Sequence, residues 1–128
     1  MIGRGVNPSV YDRKIGFERL ATGQANALNE VVQDWRFIGA AMGKRSDVRD
    51  SEAVSAGVED RALMSRFVVR DTGLTRGIKP ADRLILRGVW DASGILQSGD
   101  IWTIKGVKQV SGARHAEIEI TAVTSNGG

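Results

Sequence analysis

Chemistry needs a nucleophile, a proton carrier or a set of ligands, and this chain offers few candidates for any of them. His115 is its only histidine. Any Ser-His-Asp arrangement would have to run through that residue, and would also need an oxyanion hole and a pocket. His115 stands instead in the turn, or at the start, of a stretch that alternates like a strand, where exposed histidine is ordinary. There is no cysteine, which excludes disulfides, thiolate metal sites and a cysteine nucleophile. A histidine-based metal cluster is excluded by count. Carboxylates fall as Asp47 with Asp50, Glu59 beside Asp60, and Glu117 with Glu119. The last two share one face of an alternating stretch, which reads as the solvated outer face of a sheet. Gly3-Arg4-Gly5 and the run from Gly39 to Lys44 lack the spacing and the strand-to-helix setting of a phosphate loop. The expectation is a protein that assembles rather than one that reacts: no enzyme, no cofactor, no metal.

The cations are more suggestive. Lysine and arginine exceed aspartate and glutamate by 18 to 15, a formal net charge of +3, which permits an acidic partner without demanding one. Two local concentrations stand out, Lys44-Arg45-Arg49 and Arg66-Arg70-Arg76. A ring of subunits would repeat the first around an axis as a positive collar, able to face DNA phosphate without reading sequence. Asp47 and Asp50 sit among the same cations and would blunt that field. Lys44, Arg45 and Arg49 are the candidate contacts with DNA or an acidic lip. Of the three tryptophans, Trp102 shares a strand face with Ile104 and reads as core, and Trp35 likewise goes with Phe37. Trp90 lies beside a turn and is the candidate interface residue, since aromatics are enriched at interfaces.

The elements that must position these residues are strands. Arg66–Arg70, Arg83–Arg87, Ile101–Lys105 and Ala116–Ala122 alternate with period two and are separated by turn residues. Lys14–Leu20 and Glu30–Ile38 are two further strand candidates, with Ala21–Asn29 between them as a loop. Pro80 belongs in the turn before Arg83, because it lacks a donor for a ladder. Asp91, Ser93 and Gly94 mark a hairpin connection between Trp90 and Gly99, and Ser111-Gly112 the last turn. A chain of 128 residues with 16 glycines and no helical pattern of any length suits a single small antiparallel β-barrel, of SH3 or OB size. One region departs from this. Residues 39–65 read as a long excursion, charged first and then spaced for a short helix over 51–64 through Val54, Val58 and Ala62. Residues 1–12 read as a flexible arm and 124–128 as a frayed tail. No apolar run approaches the roughly 20 residues that span a bilayer, and Met1–Gly5 lacks the apolar stretch of a signal peptide, so no membrane partner is expected.

The order of these pieces resembles the head–tail joining proteins of tailed phages, also called head-closure or stopper proteins. The likeness is carried by Arg13-Lys14-Ile15-Gly16-Phe17-Glu18, then Gln33-Asp34-Trp35-Arg36-Phe37, then Arg66-Phe67-Val68-Val69-Arg70. It continues through Gly77-Ile78-Lys79-Pro80-Ala81-Asp82-Arg83-Leu84 and Gly99-Asp100-Ile101-Trp102-Thr103-Ile104-Lys105-Gly106-Val107, and closes on the acid-alternating strand Ala116–Ala122. Over 40–65 the chain departs from the family, which has a shorter segment there. The resemblance implies a homo-oligomeric ring in the virion of a phage, prophage or gene-transfer agent, made in the host cytoplasm. That ring would sit between the portal with its adaptor and the tail, with a loop that helps retain packaged double-stranded DNA. A small monomeric nucleic-acid-binding barrel, stacking bases on Trp90, is the alternative from another class, and a small hydrolase the third.

Overall fold

The computed structural model describes residues 11–25, 31–48, 63–111 and 116–124. Six antiparallel strands form one sheet: β1 (Arg13–Ala25), β2 (Val31–Asp47), β3 (Leu63–Arg70), β4 (Arg83–Trp90), β5 (Leu96–Ser111) and β6 (Ala116–Thr124). The sheet closes into a barrel in the order β1-β2-β3-β6-β5-β4. The mainly β fold read from the alternation is therefore the fold observed. Alternate residues of each strand supply the interior. Ile15 and Phe17 come from β1, Phe67 and Val69 from β3, Leu84 and Leu86 from β4, Trp102 and Ile104 from β5, and Ile118 and Ile120 from β6. Trp102 and Phe67 meet edge to face, centroids 5.2 Å apart, which suits the opposite charge of ring edge and ring face.

β2 corrects the boundaries of the expected excursion. Residues 39–47 are strand, paired with β1 from Arg13–Gly43 to Phe17–Gly39 and with β3 from Gly43–Val69 to Asp47–Ser65. β3 likewise begins at Leu63, inside the same span. The run Gly39-Ala40-Ala41-Met42-Gly43 looks like a loop because it lacks branched side chains. The reason is space: a Cβ on Gly43 would lie 2.6 Å from Ile15 Cδ1 and 2.8 Å from Val69 Cγ1. Neighbouring strands fill the barrel there, so β2 must be thin. The short helix expected over 51–64 falls mostly on residues outside those described, and its last two, Leu63 and Met64, are strand. At the C-terminus, Thr124 is buried and paired with Leu63, so the strand runs one residue into the expected tail.

A short helix, α1 (Gly73–Arg76), lies where only a turn was expected. Thr72 caps it: its hydroxyl accepts the Thr75 N–H at 3.2 Å, and Thr75 Oγ1 accepts the Thr72 N–H at 2.8 Å. These reciprocal bonds satisfy donors that a helix start leaves bare. With the buried Ile78, α1 closes one end of the barrel.

The β4–β5 hairpin leaves the barrel and folds back across its outside. The β4–β5 register shifts between Leu86 and Val89, and Arg87 takes φ of 55°. Asp91 shapes the tip, its Oδ1 accepting the N–H groups of Ser93 and Ile95 at 2.9 and 3.0 Å. The tip is tied to β2 by the Phe37 N–H donating to the Gly94 carbonyl at 3.0 Å. Trp90 is laid on the wall of the barrel, over two glycines. A Cβ at Gly16 or Gly88 would fall 2.2 or 2.4 Å from its ring.

Candidate functional site

Opposite α1, the barrel opens into a cleft of about 280 Å3. It is lined by Asp12, Arg13 and Lys14 at the start of β1, Arg45 on β2, Leu86 and Arg87 on β4, and Asp100 on β5. Arg45 reaches it because it continues the inward-facing series Ala41, Gly43 on β2, beyond the last core layer. Its guanidinium lies 4.9 Å from the centroid of the buried Trp102 ring, a cation–π arrangement that holds the charge at the lip of the core. Its Nε donates to Asp47 Oδ1 at 3.0 Å and to Ser65 Oγ at 3.3 Å, and the Ser65 hydroxyl donates to Asp47 at 2.6 Å. The Ser65 hydroxyl is the largest influence on the Asp47 carboxyl, which is held below the usual carboxylate range. Burial opposes it, and the charges of Arg45 and Arg13 reinforce it. Arg87 donates through Nε to Asp100 Oδ2 at 2.9 Å, and through a second nitrogen to the same oxygen. Arg13 stands 3.9 Å from Asp12, too far for a firm bond, and its side chain is 55% exposed.

The candidate residues from the sequence do not come together as a single patch. Lys44 and Arg45 alternate along β2 and so face opposite sides of the sheet. Lys44 looks outward, 3.9 Å from Glu117. That carboxylate also accepts the Tyr11 hydroxyl, and this hydrogen bond is the first cause of a phenol pKa raised above its ordinary value. Arg70 lies over the Tyr11 ring at 4.9 Å. Residue 11, placed in the flexible arm by the sequence, is thus docked on the outer face of β3 and β6. Glu117 and Glu119 do face outward, yet Glu117 is 9% exposed and Glu119 pairs with Lys108 at 3.4 Å. Arg49 and His115 lie outside the described residues.

Trp90 is half-buried and fixed. Its indole N–H donates to Glu18 Oε2 at 2.8 Å, and its ring meets Phe37 at 4.6 Å between centroids. Glu18 has no exposed surface and also accepts from Arg83 Nε at 2.7 Å; Arg83 in turn covers the Trp35 ring at 4.3 Å. Trp35 and Phe37 therefore belong to an outer layer and not to the barrel interior. Arg13, Lys14 and Arg87 were not singled out by the sequence reading. They sit at strand ends, where alternation explains them as solvated; the β1–β2 register sets Arg13 and Lys14 near Arg45, and closure of β1 on β4 adds Arg87.

Neither a family model nor a curated protein matches the sequence. Among solved structures, the chain is similar to protein SF1141 from Shigella flexneri 2a, at 16% identity and a TM-score of 0.60. That likeness covers 93% of this chain and 96% of the other. It is also similar to a chain of the virion of a native gene transfer agent particle, at 16% identity and a TM-score of 0.55, over 88% of this chain and 92% of the other. At such identity the likeness is one of fold.

Proposed function

We propose that this chain is a structural head–tail connector of a tailed phage, prophage or gene-transfer agent, built into a ring between the portal with its adaptor and the tail. The observation that carries this reading is the shared fold, along nearly the full length of both chains, with a component of a gene transfer agent virion. The order of strand and turn segments from Arg13 to Val123, which resembles head-closure proteins, supports it independently of the coordinates. On this reading the barrel is the rigid body of each subunit. The excursion read from the sequence, whose residues 49–62 lie outside those described, is proposed to plug the lumen or dock on a neighbouring ring. Lys44, Arg45 and Arg49 are proposed to face packaged DNA or the lip of that ring, and Trp90 to steady the hairpin that meets a neighbour. Deleting the gene should give filled or leaking heads without tails, restored by the gene in trans and visible by negative-stain microscopy. Normal tailed particles from the deletion strain would overturn the proposal.

A further inference from the structure

We propose that the open mouth of the barrel is a phosphate-binding site. Three arginines from three different strands, Arg13, Arg45 and Arg87, line one small cleft, and Lys14, next to Arg13 on β1, lines it as well. A carboxylate offers two coplanar oxygens and satisfies one such fork; a tetrahedral phosphate directs its oxygens several ways and can meet forks that converge from several sides. Asp12 and Asp100 line the same cleft and Asp47 is bonded to Arg45 beside it, so four cations stand against three carboxylates. Arg45 is fixed in advance by Trp102, Asp47 and Ser65, so little side-chain entropy remains to be lost on binding. Leu86 lines the cleft without offering a flat face for a base, so the contact would be to phosphate and indifferent to sequence. The phosphate could belong to a polynucleotide backbone or be free.

The test uses the purified full chain and two variants. Arg13→Gln with Lys14→Gln removes two exposed cations of the cleft; Lys108→Gln removes an exposed cation on β5, outside it. Anisotropy with a labelled 20-base-pair duplex is read against salt, and melting temperature is read in sodium phosphate against sodium chloride at equal ionic strength. The double variant should lose roughly tenfold or more in duplex affinity at low salt and shed about 2 from the slope of log K against log salt. It should also lose the rise in melting temperature that phosphate gives the wild type, while Lys108→Gln keeps both responses. A response to duplex alone assigns the phosphate to a polymer, and a response to phosphate alone to a small ligand; either supports the site. No response from the wild type, an equal loss in Lys108→Gln, or binding only to a poly-glutamate peptide would overturn it. The site shares Arg45 with the contacts proposed above but does not rest on the head–tail proposal: its failure leaves tail attachment untouched, and tailed particles in the deletion strain leave these binding data untouched.

Discussion

Glu18 is a carboxylate with no exposed surface, and a charge taken out of water is tolerated only when its oxygens are bonded. Arg83 and Trp90 each supply one donor, so the two oxygens are answered by different side chains. Trp90→Phe keeps most of the ring packing over Gly16 and Gly88 and deletes one donor to a buried acid. The expected loss is about 1–3 kcal/mol in urea unfolding. Asp82 makes a different prediction. Burial pushes its carboxyl up, yet the Arg19 guanidinium, at 2.8 Å from each oxygen, and the Lys79 N–H at 2.9 Å more than offset this and hold it below the usual range. A folded pKa below the unfolded one gives stability that is complete above the unfolded value of about 3.9 and drains away as pH falls through the folded value. Asp47 acts in the same sense. Urea midpoints measured at pH 7, 5 and 3.5 should therefore fall toward acid in the wild type. In Asp82→Asn they should start lower at pH 7 and fall less.

At the level of elements, the strands around large alternating residues were legible from the sequence, and each place where it misled has its own physical cause. Phe67, Leu84, Trp102 and Ile118 announce their strands because each strand carries its own share of the core. β2 beyond Ile38 does not, because its interior positions are filled by Ile15 and Val69 from its neighbours, so a thin stretch of Gly and Ala is strand by virtue of sequence-distant partners. α1 was hidden for the opposite reason. Its signal, Thr72 and Thr75 at capping-box spacing with threonine in place of the usual glutamate, is too short to show periodicity. The cleft was illegible because Arg13, Lys14 and Arg45 meet only through the β1–β2 register, and Arg87 joins them only where closure sets β4 beside β1. The correction to β2 also changes what the excursion is. Residues 49–62 carry Arg49 and Arg61 against Asp50, Glu52, Glu59 and Asp60, so the basic character assigned to the wider span resides in β2. Since the β2–β3 ladder is already closed at Val48 and Met64, replacing 49–62 by a short Gly-Ser-Asn turn should leave the barrel intact. Far-ultraviolet circular dichroism should be unchanged and the unfolding free energy altered by less than about 1 kcal/mol, consistent with the slow growth of loop-closure cost with length. A collapse of the β signal would show that this span belongs to the core.

For the molecule as a whole, the weakest join follows from the ladder lengths. β3 and β6 are paired from Leu63–Thr124 to Arg70–Glu117, the full length of β3, whereas β1 and β4 meet only from Ile15–Leu86 to Glu18–Arg83. A barrel closed by one short ladder opens there first, since local opening costs only the bonds and packing of that seam. What reinforces it lies outside the ladder: Glu18 and Arg83 are the last pair of the seam and are also ion-paired, and Trp90 spans the join from Gly88 on β4 to Gly16 on β1. The folded-back hairpin is thus a brace, and its kink at Arg87, which costs about 1–2 kcal/mol in a left-handed backbone, is the condition for placing Trp90 over the seam. Arg83→Met leaves Glu18 buried with one donor and should cost about 3–5 kcal/mol. The more telling measurement is where that loss appears. In native-state hydrogen exchange, amides of Gly16 to Glu18 and of Arg83 to Ile85 should gain exchange well before those of Phe67 to Val69 and Ile118 to Ile120. Uniform loss of protection around the ring would mean that the barrel opens only as a unit, and that the brace does not act on the seam.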